Sequence, residues 1–457
     1  MLKSFDKFKF DKNFFVNVLS IAIPLMLQQL IVSGVNLIDN LMVGQLGDIS
    51  LGGVTAVNKY YMVATTGMFG MTTAAGVFLA QYYGAKNNDR LKQTFRFMLV
   101  STLLLGTVFF LIGFLFPENV LRYFTNDLLV ISEGINYFKY AIFTLLPISI
   151  TLSVSNSMRS IGETKYPIIM SIVAVIVNTS LNYCLIFGNF GFPRLGVAGA
   201  AIATLIARII EMIIGLYLLQ KYNFEFITKL KDLFKINLSL VKAILLKALP
   251  LTTNEILWSS GMATIFKLYS KQGLVVMTGL AISSTVTDIF FTLFGGMAIT
   301  TTVLVSHKLG ANKIEEAKSN AYKLIGVSVT LSLMFALGLF ISSFFIPLIY
   351  NNVSLDSKIV AMNMIRIQGG MYWIYMLTVQ SYFILRAGGD MKSTLVVDSG
   401  FMWLFNIPVI ALVITFTNWN YLLVYFCGQA TDIIKLLFSY HLLKKEKWAV
   451  NLTHQVN

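Results

Sequence analysis

The chain has few charged residues, cysteines and histidines for its 457 residues. Charged residues make up only 12% of it, against roughly 25% in ordinary soluble domains. The two cysteines, Cys184 and Cys427, lie in apolar stretches, which excludes a disulfide framework or a zinc motif. No phosphate-binding loop of the form G-x-x-x-x-G-K-[ST] occurs, so direct use of ATP is not expected. The three histidines show no metal-ligand spacing or nucleophile–base pairing, so nothing favours an enzyme.

Apolar residues are abundant, at 56% of the chain. A membrane-spanning helix needs about 20 predominantly apolar residues. The sequence predicts twelve such spans, at 14–39, 52–83, 95–116, 134–157, 166–188, 196–219, 248–270, 274–306, 322–346, 358–385, 393–416 and 419–443. The expected fold class is therefore an all-α integral membrane protein.

The two halves of the chain repeat one another at a distance of about 226 residues. Pro24 recurs as Pro250, and Arg159 with its following glycine recurs at Arg386. Each repeat holds six spans, an even number, so both have the same orientation in the membrane. This predicts two six-helix bundles related by a pseudo-two-fold axis along the membrane normal. The expected parts are an N-terminal lobe at 1–222, an amphipathic linker at 223–246 and a C-terminal lobe at 247–457.

The formal net charge of +14 reports topology. Most Lys and Arg residues fall in the two tails, the central linker and the loops after spans two, four, eight and ten. The positive-inside rule then places both termini in the cytoplasm. The linker's spaced apolar residues predict a helix lying on the inner membrane surface.

Ionisable and amide residues inside spans are candidates for a site, because they are costly in hydrocarbon. Asp39 lies near the end of span one, with Asn36 one turn before it to orient it. Asn178 and Asn182 share one face of span five, and Thr204 in span six offers another oxygen. These groups suit a small hard cation, which takes oxygen ligands. The alternatives are a carboxylate wetted at the outer interface and amides that join neighbouring helices.

The second lobe has its own acids, Glu255, Asp288 and Asp398. A carboxylate buried there suits binding and release of a proton or attraction of an organic cation. For Asp288 and Asp398, pairing with a base such as Arg366 or Lys267 is the alternative, since buried charges usually find partners.

Matched prolines suggest hinges. Pro24 and Pro250 each interrupt the backbone hydrogen bonds early in spans one and seven. The alternative is that they are ordinary, because proline is commoner in membrane helices than in soluble ones.

Several segments, taken together and in order, resemble the multidrug and toxic compound extrusion (MATE) transporters over about residues 15 to 443. They are the first-span segment 39–47, the loop segment 80–86 with its second copy at 306–312, the arginine–glycine turn 159–165, and the segments 178–187 and 196–201. The resemblance implies a twelve-helix, V-shaped fold and export of organic cations driven by inward sodium or proton flow.

The resemblance also implies a first-lobe cation site at Asp39, Asn178, Asn182 and Thr204. Some members of the family have aspartate at the position of Asn182. This chain therefore has one carboxylate fewer for a cation in the first lobe, and the coupling ion stays open between H⁺ and Na⁺. Glu255 resembles a second-lobe acid implicated in some members. No cofactor or resident metal is expected, beyond a sodium ion at Asp39.

Two other classes of membrane protein are alternatives. A lipid-linked oligosaccharide or lipid flippase of the same superfamily shares the architecture, but its central cavity is expected to carry basic residues. A channel is the third class, and nothing resembles a repeated selectivity filter. The expected partners are lipophilic or cationic small molecules and membrane lipid, not nucleic acid. The chain is expected to act as a monomer in the plasma membrane.

Overall fold

The computed structural model describes residues 6–125, 127–345 and 354–454, and no β-strand occurs in those ranges. Twelve long helices account for most of them, as the sequence predicted. In chain order they are α1 Lys12–Gly44, α2 Asp48–Gly84, α3 Asn88–Leu115, α4 Leu128–Ser160, α5 Lys165–Phe187, α6 Val197–Tyr222, α7 Leu238–Ser270, α8 Val275–Gly310, α9 Ile314–Phe345, α10 Leu355–Ala387, α11 Met391–Phe416 and α12 Tyr421–Lys444.

Ten of the helices are long and apolar enough to cross a membrane by length and composition, within the described residues. The exceptions are α7 and α10, which carry four charged residues each. Two of those charges meet: Arg386 of α10 donates to the Glu255 carboxylate of α7 at 2.9 Å, and both side chains are mostly buried. The polar content of these helices is thus partly neutralised where they face each other.

Contacts group the described chain into two compact units. One contains Leu27–Ala248; the other contains the chain up to Met26 together with the part from Leu249 onward. The first half of α1 and most of α7 therefore belong to the same unit. Both changes of unit fall within three residues of a proline, Pro24 or Pro250. The predicted lobes 1–222 and 247–457 follow the sequence repeat. The contacts instead group the start of α1 with the C-terminal part of the chain, and the start of α7 with the N-terminal part.

Close packing fixes the start of α1 in its unit. Val18, Ala22 and Met26 belong to a buried core with Phe294 and Met297. A methyl group built on Gly296 would lie 2.9 Å from the backbone oxygen of Ala22. Only glycine therefore permits this approach of α8 to α1.

The linker is not the predicted surface helix. Residues 223–237 form turns with one 3₁₀ segment, Leu230–Asp232, and the helix begins at Leu238. Phe226 is fully buried, with its ring centroid 4.9 Å from that of Phe95, whereas Phe234 is exposed. Arg96 of α3 donates to the Lys235 carbonyl at 2.8 Å. The hydrogen bond from the Lys235 ammonium lowers the pKa of the Asp232 carboxyl.

Candidate functional site

A cavity of about 500 Å³ lies inside the unit Leu27–Ala248. Its walls come from α1, α2, α4, α5 and α6, and all four first-lobe residues predicted from the sequence line it. Among the lining residues the charged ones are Asp39, Arg208 and Glu211. Arg208 and Glu211 form an ion pair at 2.7 Å, so the formal charge of the wall is that of one carboxylate. A wall of this charge favours a cation.

The predicted residues form a chain of hydrogen bonds across three helices. Asn182 Nδ2 donates to Asp39 Oδ1 at 2.7 Å and approaches Asn178 Oδ1 at 3.4 Å. Asn178 Nδ2 donates to Thr204 Oγ1 at 3.2 Å, and that hydroxyl donates to the Ala200 carbonyl at 2.9 Å. The structure therefore brings Asp39, Asn178, Asn182 and Thr204 together. Their role in ion binding stays a prediction.

One hydrogen-bond acceptor in this network lacks a donor within the described residues. The side-chain oxygen of Asn182 is buried and has no hydrogen-bond partner among the described residues. A buried acceptor without a donor costs free energy. A small cation or a protonated group next to Asp39 would satisfy it, because amide and carboxylate oxygens are ligands for hard cations.

Helix packing sets the distance between the two asparagines and Thr204. A methyl group on Gly199 of α6 would lie 2.4 Å from the Leu185 carbonyl oxygen of α5. The small residue at this position lets the two helices approach closely, as is common in membrane helix pairs.

Gly199→Ala is expected to force α5 and α6 apart and to break the hydrogen bond from Asn178 to Thr204. Overpacking of this kind costs about 1–3 kcal/mol, so the purified variant should unfold at a lower temperature than wild type. Gly67→Ala is the matched control, because nothing lies within 4 Å of a methyl group added there. Equal unfolding temperatures for both variants and wild type in a thermal scan would contradict this account of the packing.

Several polar groups of the cavity were missed from the sequence, among them one tyrosine and two charged residues. Tyr137 of α4 lines it, as do Arg208 and Glu211 of α6. Arg208 and Glu211 are ionisable residues inside a predicted span, and that signal was sufficient to find them. Tyr137 carries no such signal, since tyrosine is common in this chain.

The predicted orienting and hinge residues belong to α1 and α7. Pro24 lies inside α1 and Pro250 inside α7, so neither ends its helix. Their function as hinges is untested and stays a prediction. The side chain of Asn36 lies outside the described residues.

The second-lobe acids are in different environments. Glu255 is paired with Arg386, as described above. Asp398 forms a buried ion pair with Lys435 at 3.2 Å and accepts from Asn254 Nδ2 at 3.0 Å. The expected kind of pairing thus exists for Asp398, but its base is Lys435 rather than Arg366 or Lys267. Asp288 lines a separate cavity and has no ion pair or hydrogen bond within the described residues.

The repeat extends to these hydrogen bonds. Gln28, four residues after Pro24, donates to Ser171 Oγ at 2.6 Å. Asn254, four residues after Pro250, makes the equivalent bond to Asp398, which lies 227 positions after Ser171. In the same way the bond from Asn178 to Thr204 recurs as one from Asn406 to Thr431 at 2.6 Å.

Comparisons with known proteins agree with this internal repeat. The family model MatE matches residues 24–184 and again residues 250–412. The probable multidrug resistance protein YoeA of Bacillus subtilis is 24% identical over 434 residues, which is 92% of this chain and 91% of that protein. A probable multidrug resistance protein NorM, from Halalkalibacterium halodurans, is 25% identical over 324 residues, which is 71% of this chain and 70% of that protein.

Solved structures share the fold. The Vibrio cholerae MATE transporter VcmN in its bent form superposes with a TM-score of 0.85 at 17% identity, covering 96% of this chain and 98% of that one. The likeness confirms the predicted all-helical, two-lobe membrane fold class.

Proposed function

Since the chain belongs to the MatE family, whose members are membrane transporters and not enzymes, we propose that it is a secondary active multidrug efflux transporter. It exports organic cations in exchange for inward H⁺ or Na⁺. The observation that carries the proposal is the cavity of net negative charge around Asp39, in which a buried Asn182 oxygen has no hydrogen-bond partner. The names of the relatives, which are probable multidrug resistance proteins, support the export of drugs.

The four residues of the first cavity have different roles in the proposed ion coupling. Asp39 holds the coupling ion, either as a proton on its carboxylate or as a sodium ion on its oxygens. Asn178, Asn182 and Thr204 supply neutral oxygens and hold the geometry through their hydrogen bonds. An ion drives the conformational cycle only through its different affinity for the inward- and outward-open states. The carboxylate supplies that difference if its surroundings change between the states.

The bases in the cavities argue for a cation exporter over a flippase for pyrophosphate-linked lipids. Arg208 in the first cavity is bound to Glu211. Lys435, which lines the separate cavity that contains Asp288, is bound to Asp398. A phosphate ligand needs positive charge that is not already neutralised, and neither base offers it.

The cellular setting follows from the same proposal. We place the chain in the plasma membrane with both termini in the cytoplasm, because the basic residues are concentrated on that side. Its partners are lipophilic or cationic small molecules and the surrounding lipid, and it works as a monomer.

Export is tested by expressing the chain in drug-sensitive cells and following ethidium. Accumulation should fall relative to cells with an empty vector, and collapsing the proton and sodium gradients together should restore it. Collapsing each gradient alone identifies the ion. Efflux that continues with neither gradient contradicts antiport.

A further inference from the structure

The second cavity is the repeat counterpart of the first. It has a volume of about 220 Å³ and lies in the unit that contains α8, α10, α11 and α12. Many of its lining positions match those of the first cavity at an offset of 226 or 227 residues along the chain. The matched pairs include Val54 with Leu280, Asn58 with Ser284, Tyr61 with Thr287, Thr65 with Phe291, Ile148 with Tyr375 and Arg208 with Lys435.

The two cavities differ in chemistry. Ile265 stands in the second cavity where Asp39 stands in the first. The second cavity has instead two carboxylates, Asp288 and Asp432, at positions occupied by Met62 and Leu205 in the other repeat. The inorganic-ion site of the first cavity is therefore not reproduced in the second.

Aromatic rings line the second cavity. Eight of them face it, whereas Tyr61 and Tyr137 are the aromatic residues in the first. The eight are Trp258, Phe266, Tyr269, Phe291, Tyr372, Tyr375, Phe401 and Tyr425. Several are in contact with each other: the ring of Trp258 stacks on Phe291 at 6.3 Å between centroids, and Phe291 lies 6.0 Å from Tyr375. Aromatic faces attract organic cations.

The charges of this cavity leave an excess of carboxylate. Lys435 is the base among the described lining residues, and it is bound to Asp398 behind the wall. Neither Asp288 nor Asp432 makes a hydrogen bond or an ion pair within the described residues. The group of Asp288, Asp398, Asp432 and Lys435 therefore has a formal charge of −2 when fully ionised.

The backbone is also altered at this wall. Segments Val396–Gly400 and Met402–Asn406 of α11 are π-helical, whereas α5, its counterpart, is regular over Lys165–Phe187. Asn406 lies 228 positions after Asn178, while Asp398 lies 227 after Ser171, so one residue has been inserted between them. Such π segments occur frequently at functional sites. Here the second segment carries Met402 and Asn406, and Phe401 lies between the two segments; all three residues line the cavity.

We infer that the second cavity is a binding site for a compact, flat organic cation, held between aromatic rings with Asp288 and Asp432 as counter-charges. This inference rests on the proposed function: the polar first cavity serves the coupling ion, and the aromatic second cavity serves the exported molecule. The volume fits a cation of one or two fused rings. Larger substrates protrude from it.

The test measures binding to the purified protein in detergent, at constant pH and with no ion gradient. The probe is N-methylquinolinium, and the comparison is quinoline, a neutral ring system of nearly the same shape. We expect wild type to bind the cation at least about tenfold more tightly, which corresponds to the strength of a desolvated cation–π contact. Asp288→Asn and Asp432→Asn should each weaken binding of the cation about tenfold and leave quinoline binding unchanged.

Two controls make the outcome specific. Asp356→Asn removes the same charge from an exposed position in the same unit and should bind the probe like wild type. Trp258→Leu removes a ring without altering charge and should weaken both compounds, which keeps the idea testable if an aspartate variant fails to fold. Equal affinity of wild type for the two probes overturns the inference, and so does unchanged cation binding in both aspartate variants.

The same experiment separates this inference from the proposed function. Asp39→Asn should bind N-methylquinolinium normally, because Asp39 lies in the other cavity. Tight, aspartate-dependent binding without any ethidium export would keep the second-cavity site and reject the transport proposal. Gradient-driven export with no such binding would do the reverse.

Discussion

Asp39→Asn is expected to reduce gradient-driven export at least about tenfold while leaving normal amounts of protein in the membrane. Asparagine keeps an oxygen that can accept from Asn182, so the hydrogen bond of 2.7 Å between the two side chains survives. What disappears is the negative charge of the cavity wall. Without it, ion binding no longer distinguishes the two conformational states, and each 1.4 kcal/mol of lost difference is a factor of ten.

Export and protein level should be measured together for this variant. Asp89→Asn, the same change at an exposed position of the same unit, should export like wild type. If Asp39→Asn exports normally, the first cavity is not the coupling site. Attention then moves to Asp288 and Asp432, because Glu255 and Asp398 are already bound to Arg386 and Lys435.

The second large effect concerns stability. Lys435→Met is expected to destabilise the protein by about 3–5 kcal/mol, because it leaves the Asp398 carboxylate buried without its partner. Both side chains of the pair are 8% exposed, so bulk water solvates the remaining carboxylate poorly. The measurement is thermal unfolding of the purified protein, which should begin at a markedly lower temperature than in wild type.

A double variant distinguishes a lost charge pair from lost packing. Adding Asp398→Asn to Lys435→Met removes both charges and keeps a group that can bond Asn254. We expect it to recover most of the stability. If the double variant is no more stable than Lys435→Met alone, the single variant's defect comes from packing and not from the unpaired carboxylate.

Much of the first cavity was predictable because it depends on spacing within helices and on order along the chain. Asn178 and Asn182 are four residues apart and therefore share a face. Asp39 and Thr204 came from the rarity of polar groups in spans and from the family resemblance, which the MatE match confirms. The repeat itself, anchored by Pro24 and Pro250, reappears as equivalent hydrogen bonds in the structure.

The rest depends on distances between helices, which periodicity does not contain. Lys435 is no closer to Asp398 in sequence than Arg366 is, and only the packing of α11 against α12 selects it. The linker shows the same limit in another form. Its apolar residues match an amphipathic helix, but residues 223–237 form turns and one 3₁₀ segment, and Phe226 packs against Phe95 of another helix. The wall of eight rings in the second cavity likewise draws on residues from several helices.

The exchange of α1 between units has a consequence for how the protein is made. The segment that packs with the C-terminal unit, up to Met26, is synthesised first, whereas the rest of that unit begins at Leu249. At about 5–20 residues per second, translation needs roughly ten to fifty seconds to cover the distance. Throughout that time Val18, Ala22 and Met26 lack Phe294 and Met297, with which they form a buried core in the complete chain. The unit whose larger part is made later thus depends on a segment that is synthesised before all of Leu27–Ala248.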